Sequence, residues 1–184
     1  VAFCEGGRIV ASLSPELLRR HPADVFVETG TGWGNGIIVA LCTGLYGEIY
    51  SIEADPAYHD AARDLFEGNR IVHLVHGNSA AAIRGVLDGI RNRALIWLDA
   101  HSEHHPNPLF EELAAVANLP VKDHAILIDD RRMWGGPMPC WKDVTTDKVI
   151  EAVKRVNPSY EISWADSWNG PKDILVADVP GRGK

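Results

Sequence analysis

Val25-Phe26-Val27-Glu28-Thr29-Gly30-Thr31-Gly32-Trp33-Gly34-Asn35-Gly36-Ile37-Ile38-Val39-Ala40-Leu41 reads as a buried strand, a glycine-rich turn and an apolar helix in direct succession. An acid closes the strand, glycines alternate at 30, 32, 34 and 36, and a helix opens just behind them. Glycine tolerates positive φ and lets a ligand approach the backbone with no Cβ in the way. The helix N-terminus behind it offers unpaired N–H groups and a partial positive charge, suited to an anionic ligand group. The stretch thus has the form of a nucleotide-cofactor loop. Glycine clusters also make ordinary tight turns, so the flanking chain must decide.

Working outward, the same strand-then-helix rhythm continues. Ser14-Pro15-Glu16 has a capping serine, a proline at the first helical position and an acid in the first turn, so a short helix precedes the loop. After the loop come strands near 48–53, 71–76, 94–99 and 124–129, with helices expected near 34–45, 55–66, 79–90 and 109–118. Ala94-Leu95-Ile96-Trp97-Leu98 and Ala125-Ile126-Leu127-Ile128 are continuous apolar runs, the mark of strands covered on both faces. Five strand–helix units imply a parallel sheet with helices on both sides. A helix near 146–156 follows, then strands near 160–166 and 173–178 about a turn at Asn169-Gly170-Pro171. So short a connection forces an antiparallel pair, because a parallel return needs a crossover of a dozen or more residues. The expected fold is one α/β domain over 1–184: a Rossmann-like, doubly wound, mostly parallel seven-stranded sheet with a reversed last strand.

Composition narrows the function. At 184 residues there is room for one sizeable core. The net charge of -7 disfavours a nucleic-acid interface, so a small-molecule partner is expected. No apolar run approaches the ~20 residues of a spanning helix. Glu5 and Arg8 interrupt Val1-Ala2-Phe3-Cys4, so no signal peptide is expected; the opening Val leaves room for residues upstream. Cys4, Cys42 and Cys140 are odd in number and far apart, which argues against a disulfide framework or structural zinc and suits a reducing cytosol.

Reading the carboxyl ends of the strands in order gives Glu28, Glu53, Gly77-Asn78-Ser79, Asp99 and Asp129-Asp130. Ligands of open α/β sheets bind beyond these ends. Asn78, Ser79 and Asp55 also suit helix capping, but acids at four of five ends exceed what caps require.

With those residues in view, the chain resembles the class I S-adenosylmethionine-dependent methyltransferases from about Asp24 to Val179. Glu28-x-Gly30-x-Gly32-x-Gly34 is similar to that family's acidic first motif, which cradles the methionine part of the cofactor. The resemblance implies that Glu53 binds the ribose hydroxyls and that Asn78 and Ser79 meet adenine, with Asn78 an uncharged departure from the usual Asp. It also implies a last strand inserted beside the sixth. A nicotinamide dinucleotide is the main rival, but its G-x-G-x-x-G spacing needs glycine at 35 or 37, where Asn and Ile stand.

Asp99 with Asp129-Asp130 resembles the metal-dependent O-methyltransferases of catechol and macrolide-sugar type. Three converging carboxylates repel one another unless a cation sits among them, and hard oxygen ligands suit Mg²⁺. The expected metal ligands are Asp99, Asp129 and Asp130, with Asp99 also touching the cofactor. Asp99-Ala100-His101 offers a base in His101, where the catechol enzymes carry a lysine that this chain lacks. A site of Asp99, His101 and Asp129 for Fe, Mn or Zn is a lesser alternative. The 131–145 segment is read as a substrate lid, with Arg131, Trp134 and Trp141 as acceptor contacts and His104 to Pro108 facing it. Arg131 or Arg132 would pair with an acidic substrate or with Asp129 and Glu111; Trp97, Trp164 and Trp168 are read as packing residues. Residues 1–23 form a short helical segment that caps little, so a second subunit is expected to complete the lid. The reading is small-molecule O-methylation with metal help; metal-free methylation by a histidine base and a non-catalytic cofactor-binding module remain open.

Overall fold

The computed structural model describes residues 12–102 and 105–181. Its single sheet has seven strands: β1 (Val25–Thr29), β2 (Glu48–Glu53), β3 (Val72–His76), β4 (Ala94–Leu98), β5 (Ala125–Ile128), β6 (Glu161–Ser167) and β7 (Gly170–Asp178). They lie in the order β3-β2-β1-β4-β5-β7-β6. β1 to β5 are parallel, and β7 runs antiparallel to both β5 and β6. The expected fold is therefore the observed one, reversed strand included. The turn of the terminal hairpin sits at 168–169 rather than 169–171, and β7 starts at Gly170. Proline is tolerated there because pairing with β5 begins only near Leu175.

Among the described residues six α-helices cover the sheet: α1 (Pro15–Arg20), α2 (Asn35–Thr43), α3 (Pro56–Leu65), α4 (Ser79–Asp88), α5 (Leu109–Ala117) and α6 (Thr146–Val156). Successive strand residues point to opposite faces, and two separate cores result. Phe26, Ile49, Leu95, Leu127 and Val176 pack with α1, α2 and α3 on one side. Val27, Ile52, Ile96, Ile126 and Leu175 pack with α4, α5 and α6 on the other. Each such side chain, removed from water, contributes ~1.5–3 kcal/mol. Tyr160 ties the second layer to the sheet, donating to the His124 carbonyl at 2.7 Å.

Local chemistry sets where the helices begin. Ser14 accepts from Leu17 N at 3.2 Å and Asp55 from Ala57 N at 2.7 Å, each ahead of a proline at the helix start. α2 is closed by Gly44 at φ 66, the left-handed end that glycine permits.

Cys140 is a buried free thiol, whereas Cys42 is disulfide-bonded. No helix among the described residues is long and apolar enough to cross a membrane. Parts of the expected 1–23 segment and of the His104–Pro108 loop, His104 included, lie outside the described residues.

Candidate active site

The carboxyl ends of β1 and β4 open into a cleft of about 270 Å³ lined by Glu28, Gly30, Gly32, Asn35, Gly36 and Asp99, with Trp97 behind and Trp33 and Trp168 at the sides. Gly30, Gly32 and Gly34 all have positive φ. At Gly30 a Cβ would stand 2.7 Å from the Asp99 carbonyl oxygen, so glycine lets β1 and β4 end side by side. Gly36 is required by a side chain: its Cβ would stand 1.9 Å from Glu28 Oε2. The acid that ends the strand and the last glycine of the loop thus form one packed unit at the mouth of α2.

Glu28 is buried, and its Oε1 accepts from Ser51 Oγ at 2.6 Å; Ser51 Oγ in turn lies 2.5 Å from Thr31 Oγ1. Burial pushes its pKa up to about 8, with the Ser51 bond opposing and Glu53 adding to the rise. Glu53 clamps the loop, accepting from Gly32 N at 2.9 Å and from Asp55 N at 2.8 Å. Asn78 is exposed at the start of α4, where its side chain accepts from Ala81 N at 3.3 Å. Ser79 is buried against Glu112. Asn78 therefore caps α4 and faces solvent, whereas Ser79 ties α4 to α5.

Asp99 sits at the cleft floor. Burial holds its carboxyl well above the usual range, and Asp129, Asp130 and Glu28 push it further. Asp129 is raised to about 6, mainly by burial. Asp130 behaves oppositely: burial would raise it, but His101 and Arg132 hold it below the usual range. Its backbone is left-handed at φ 60, uncommon for a residue with a Cβ. His101 Nε2 lies 2.8 Å from Asp130 Oδ2.

The three aspartates do not gather as one ligand set. One candidate set for an ion comprises Asp99, His101 and Asp130, and another comprises Asp129, Asp130 and Asp173. The first combines the expected base with two of the expected metal acids. The second already holds a cation, since Arg132 bridges Asp130 at 2.6 Å and Asp173. Arg132 thus neutralises buried acids of the fold, whereas the sequence reading paired it with substrate or with Asp129 and Glu111.

The expected acceptor contacts point elsewhere. Arg131 lies over the Trp164 ring at 4.5 Å and donates to the Lys172 carbonyl. Trp134 is half-buried and packs edge-on to Trp164. Trp141 is buried with its ring 5.2 Å from the His101 ring, and Cys140 and Val144 join the core beside it. Within 131–145, then, Cys140, Trp141 and Val144 are buried in the core, while the rest is half-buried or exposed. Trp168, read as a packing residue, is 63% exposed and lines the cleft, as does Trp33 at 69%. The hairpin turn carries Trp168 to the sheet edge, where no core is available to cover it.

Sequence reasoning also missed Glu112, which is buried in α5 and raised to about 7 by burial, against bonds from Ser79 and Thr29. The signal was present: Leu109, Glu112, Leu113 and Val116 share the buried stripe of α5 at helical spacing.

No family model matches the chain. A protein-L-isoaspartate O-methyltransferase from Chromobacterium violaceum is 34% identical over 109 residues, 57% of this chain and 46% of that protein. A UDP-N-acetylmuramoylalanine–D-glutamate ligase from Rubrobacter xylanophilus is 33% identical over 107 residues, 55% of this chain and 22% of that protein. Each match spans less than half of the curated relative, and the two catalyse different reactions. Among solved structures, an O-methyltransferase from Bacillus cereus in complex with SAH superposes with TM-score 0.60 at 18% identity, covering 90% of this chain and 78% of that one. A spermidine synthase in complex with a transition-state analogue superposes at 0.62 with 16% identity, covering 86% and 56%. The chain has the fold of the class I S-adenosylmethionine-dependent methyltransferases, as the sequence resemblance implied.

Proposed function

We propose that this chain transfers a methyl group from S-adenosylmethionine to an oxygen of a small molecule. The observation that carries the reading is the cleft in which Glu28, the glycine loop and Asp99 meet beside the N-terminus of α2. In this reading Glu28 and Asp99 receive the cationic amino end of the cofactor and Glu53 the ribose hydroxyls; Asn78 borders the adenine, with Ser79 behind it. The fold alone names no reaction. Support comes from the agreement of the loop, the strand-end acids and the methyltransferase relatives.

Asp99, His101 and Asp130 supply two carboxylates and an imidazole within reach of a single ion. That donor set fits a divalent cation, Mg²⁺ in the simplest case or a softer metal that accepts nitrogen. When bound, such a cation acts as a Lewis acid that lowers the pKa of an acceptor hydroxyl. Asp129 groups with Asp130 and Asp173 instead. Holding donor and acceptor in attack geometry accounts for up to ~7–11 kcal/mol of barrier.

A second reading rests on the 2.8 Å contact between His101 and Asp130. With Asp130 kept ionised by His101 and Arg132, it orients the imidazole as a general base that takes the acceptor's proton without metal. Calorimetry with S-adenosylhomocysteine tests the cofactor half: Glu53→Ala should abolish binding, and normal binding by that variant sinks the assignment of Glu53. Turnover with and without EDTA separates the two readings, since activity that survives chelation leaves the histidine base.

A further inference from the structure

Beneath the cleft, four buried polar atoms have no partner among the described residues: Glu112 Oε1, Asp129 Oδ1, Asn107 Nδ2 and Trp141 Nε1. Glu112, Asp129 and Trp141 are each less than 5% exposed. All four residues line one small space of about 10 Å³, walled also by Leu98, Asp99, Ala100, Leu109 and Ile128. Such a volume admits a single water-sized occupant.

The chemistry of the four atoms selects that occupant. Trp141 Nε1 can only donate. Asn107 is oriented by its carbonyl oxygen, which accepts from Leu109 N at 3.0 Å, so its NH₂ faces the space as a second donor. In their ionised forms Glu112 and Asp129 each present a carboxyl oxygen as acceptor. A metal ion would face two N–H groups with their positive ends toward it, and an anion would face two carboxyl oxygens. A water molecule accepts from two groups and donates to two, and so matches all four.

We propose that one internal water is held tetrahedrally by Glu112, Asp129, Asn107 and Trp141, and that Glu112 acts through it as a positioning residue for Asp129. The water joins α5 and the turn before it to the stretch after β5, where Asp129 and Trp141 stand. It fixes one oxygen of Asp129 inward, which determines how that carboxylate is presented beside Asp130 and the Asp99–His101 pair. Trp141 contributes twice, with its N–H to the water and its ring against His101.

A high-resolution crystal structure tests the site directly. It should show one peak at ~2.7–3.2 Å from all four atoms; no peak, or one contacting the carboxylates alone, overturns the proposal. Trp141→Phe removes one donor while keeping an aromatic ring, and Glu112→Leu removes one acceptor. In both variants the Asp129 carboxylate should rotate or split between conformers with the backbone unchanged, whereas Glu112→Gln should restore the native orientation. An unmoved Asp129 in the Leu and Phe variants refutes the positioning role. Because the metal reading underlies one further arm, Mn²⁺ affinity is followed by paramagnetic resonance: Glu112→Leu should weaken it about tenfold and Glu112→Gln far less. Absence of Mn²⁺ binding in the unaltered protein counts against the metal reading, and the crystal structures still decide the water.

Discussion

Titrating S-adenosylhomocysteine into the protein should release a proton from Glu28. Its carboxyl is buried and pushed up to about 8. At pH 7 it is then about nine-tenths protonated, and ionising it costs only ~1.4 kcal/mol, the equivalent of one pKa unit. An ammonium placed against Glu28 supplies more than that, so binding at pH 7 should expel ~0.9 proton from this group, falling to ~0.1 at pH 9, where it is already ionised. The assay is calorimetry in phosphate and in Tris, in which the dependence of the observed heat on buffer ionisation enthalpy gives the proton count. Asp99, also held above its usual range, adds a release of its own. The difference between the unaltered protein and Glu28→Gln therefore isolates the Glu28 share. If the two release equal numbers of protons at pH 7 while both bind, Glu28 does not meet the cationic end and the cradle has been assigned wrongly.

Gly36→Ala should drive the Glu28 carboxylate from its place, since the new Cβ would stand 1.9 Å from Oε2. Overpacking of this kind costs ~1–3 kcal/mol, a fall of roughly 2–10 °C in melting temperature, with loss of cofactor binding; a variant that melts and binds normally contradicts the packing. Thermal stability of the ligand-free protein should fall as pH rises. Glu28 and Glu112, raised from 4.5 to about 8 and about 7, keep protons in the folded state that the unfolded chain loses above about 4.5. Their contribution is full below about 4.5 and is lost towards pH 7–8, at up to ~1.4 kcal/mol per pH unit for each group. His124, lowered to about 4 mainly by burial, opposes this below about 6.5, but one histidine does not offset two carboxyls, so calorimetric scans should show stability highest near pH 4 and falling from there towards pH 8. Arg132→Ala should free the Asp129, Asp130 and Asp173 set and add one Mn²⁺ equivalent in paramagnetic resonance; unchanged stoichiometry would show that the three acids hold protons instead.

The sheet was legible because its strands are buried on both faces: runs such as Ala125–Ile128 leave little choice but a central strand, and Glu28 with its glycines marks where the first strand stops. The residues misread are those whose direction depends on tertiary packing. Trp141 and Trp168 both lie in loops, yet one enters the core and the other stands in solvent. Nothing local distinguishes them. Asp130 was grouped with Asp99 and Asp129 through the family resemblance, but in the structure, with a left-handed backbone, it pairs with His101 and Arg132. Asp173 sits beside an apolar run and gains meaning only through Arg132, 41 positions earlier. Glu112 was the recoverable miss, since an acid on the buried stripe of an amphipathic helix needs a reason to be there.

The position of β7 has a consequence for how the chain acquires its shape. β7 is made after every other strand, yet it lies between β5 and β6, so β6 can enter the sheet only once β7 has arrived. While the chain is being synthesised, β5 therefore presents an unpaired edge, with Ile126 and Ile128 on one side and Leu127 on the other. An open apolar edge of that kind is a template for pairing with another chain, and non-local strand pairing is slow to form. The vulnerable interval in this protein's biogenesis should thus run from the emergence of β5 until β7 docks, and chaperone demand should be concentrated there.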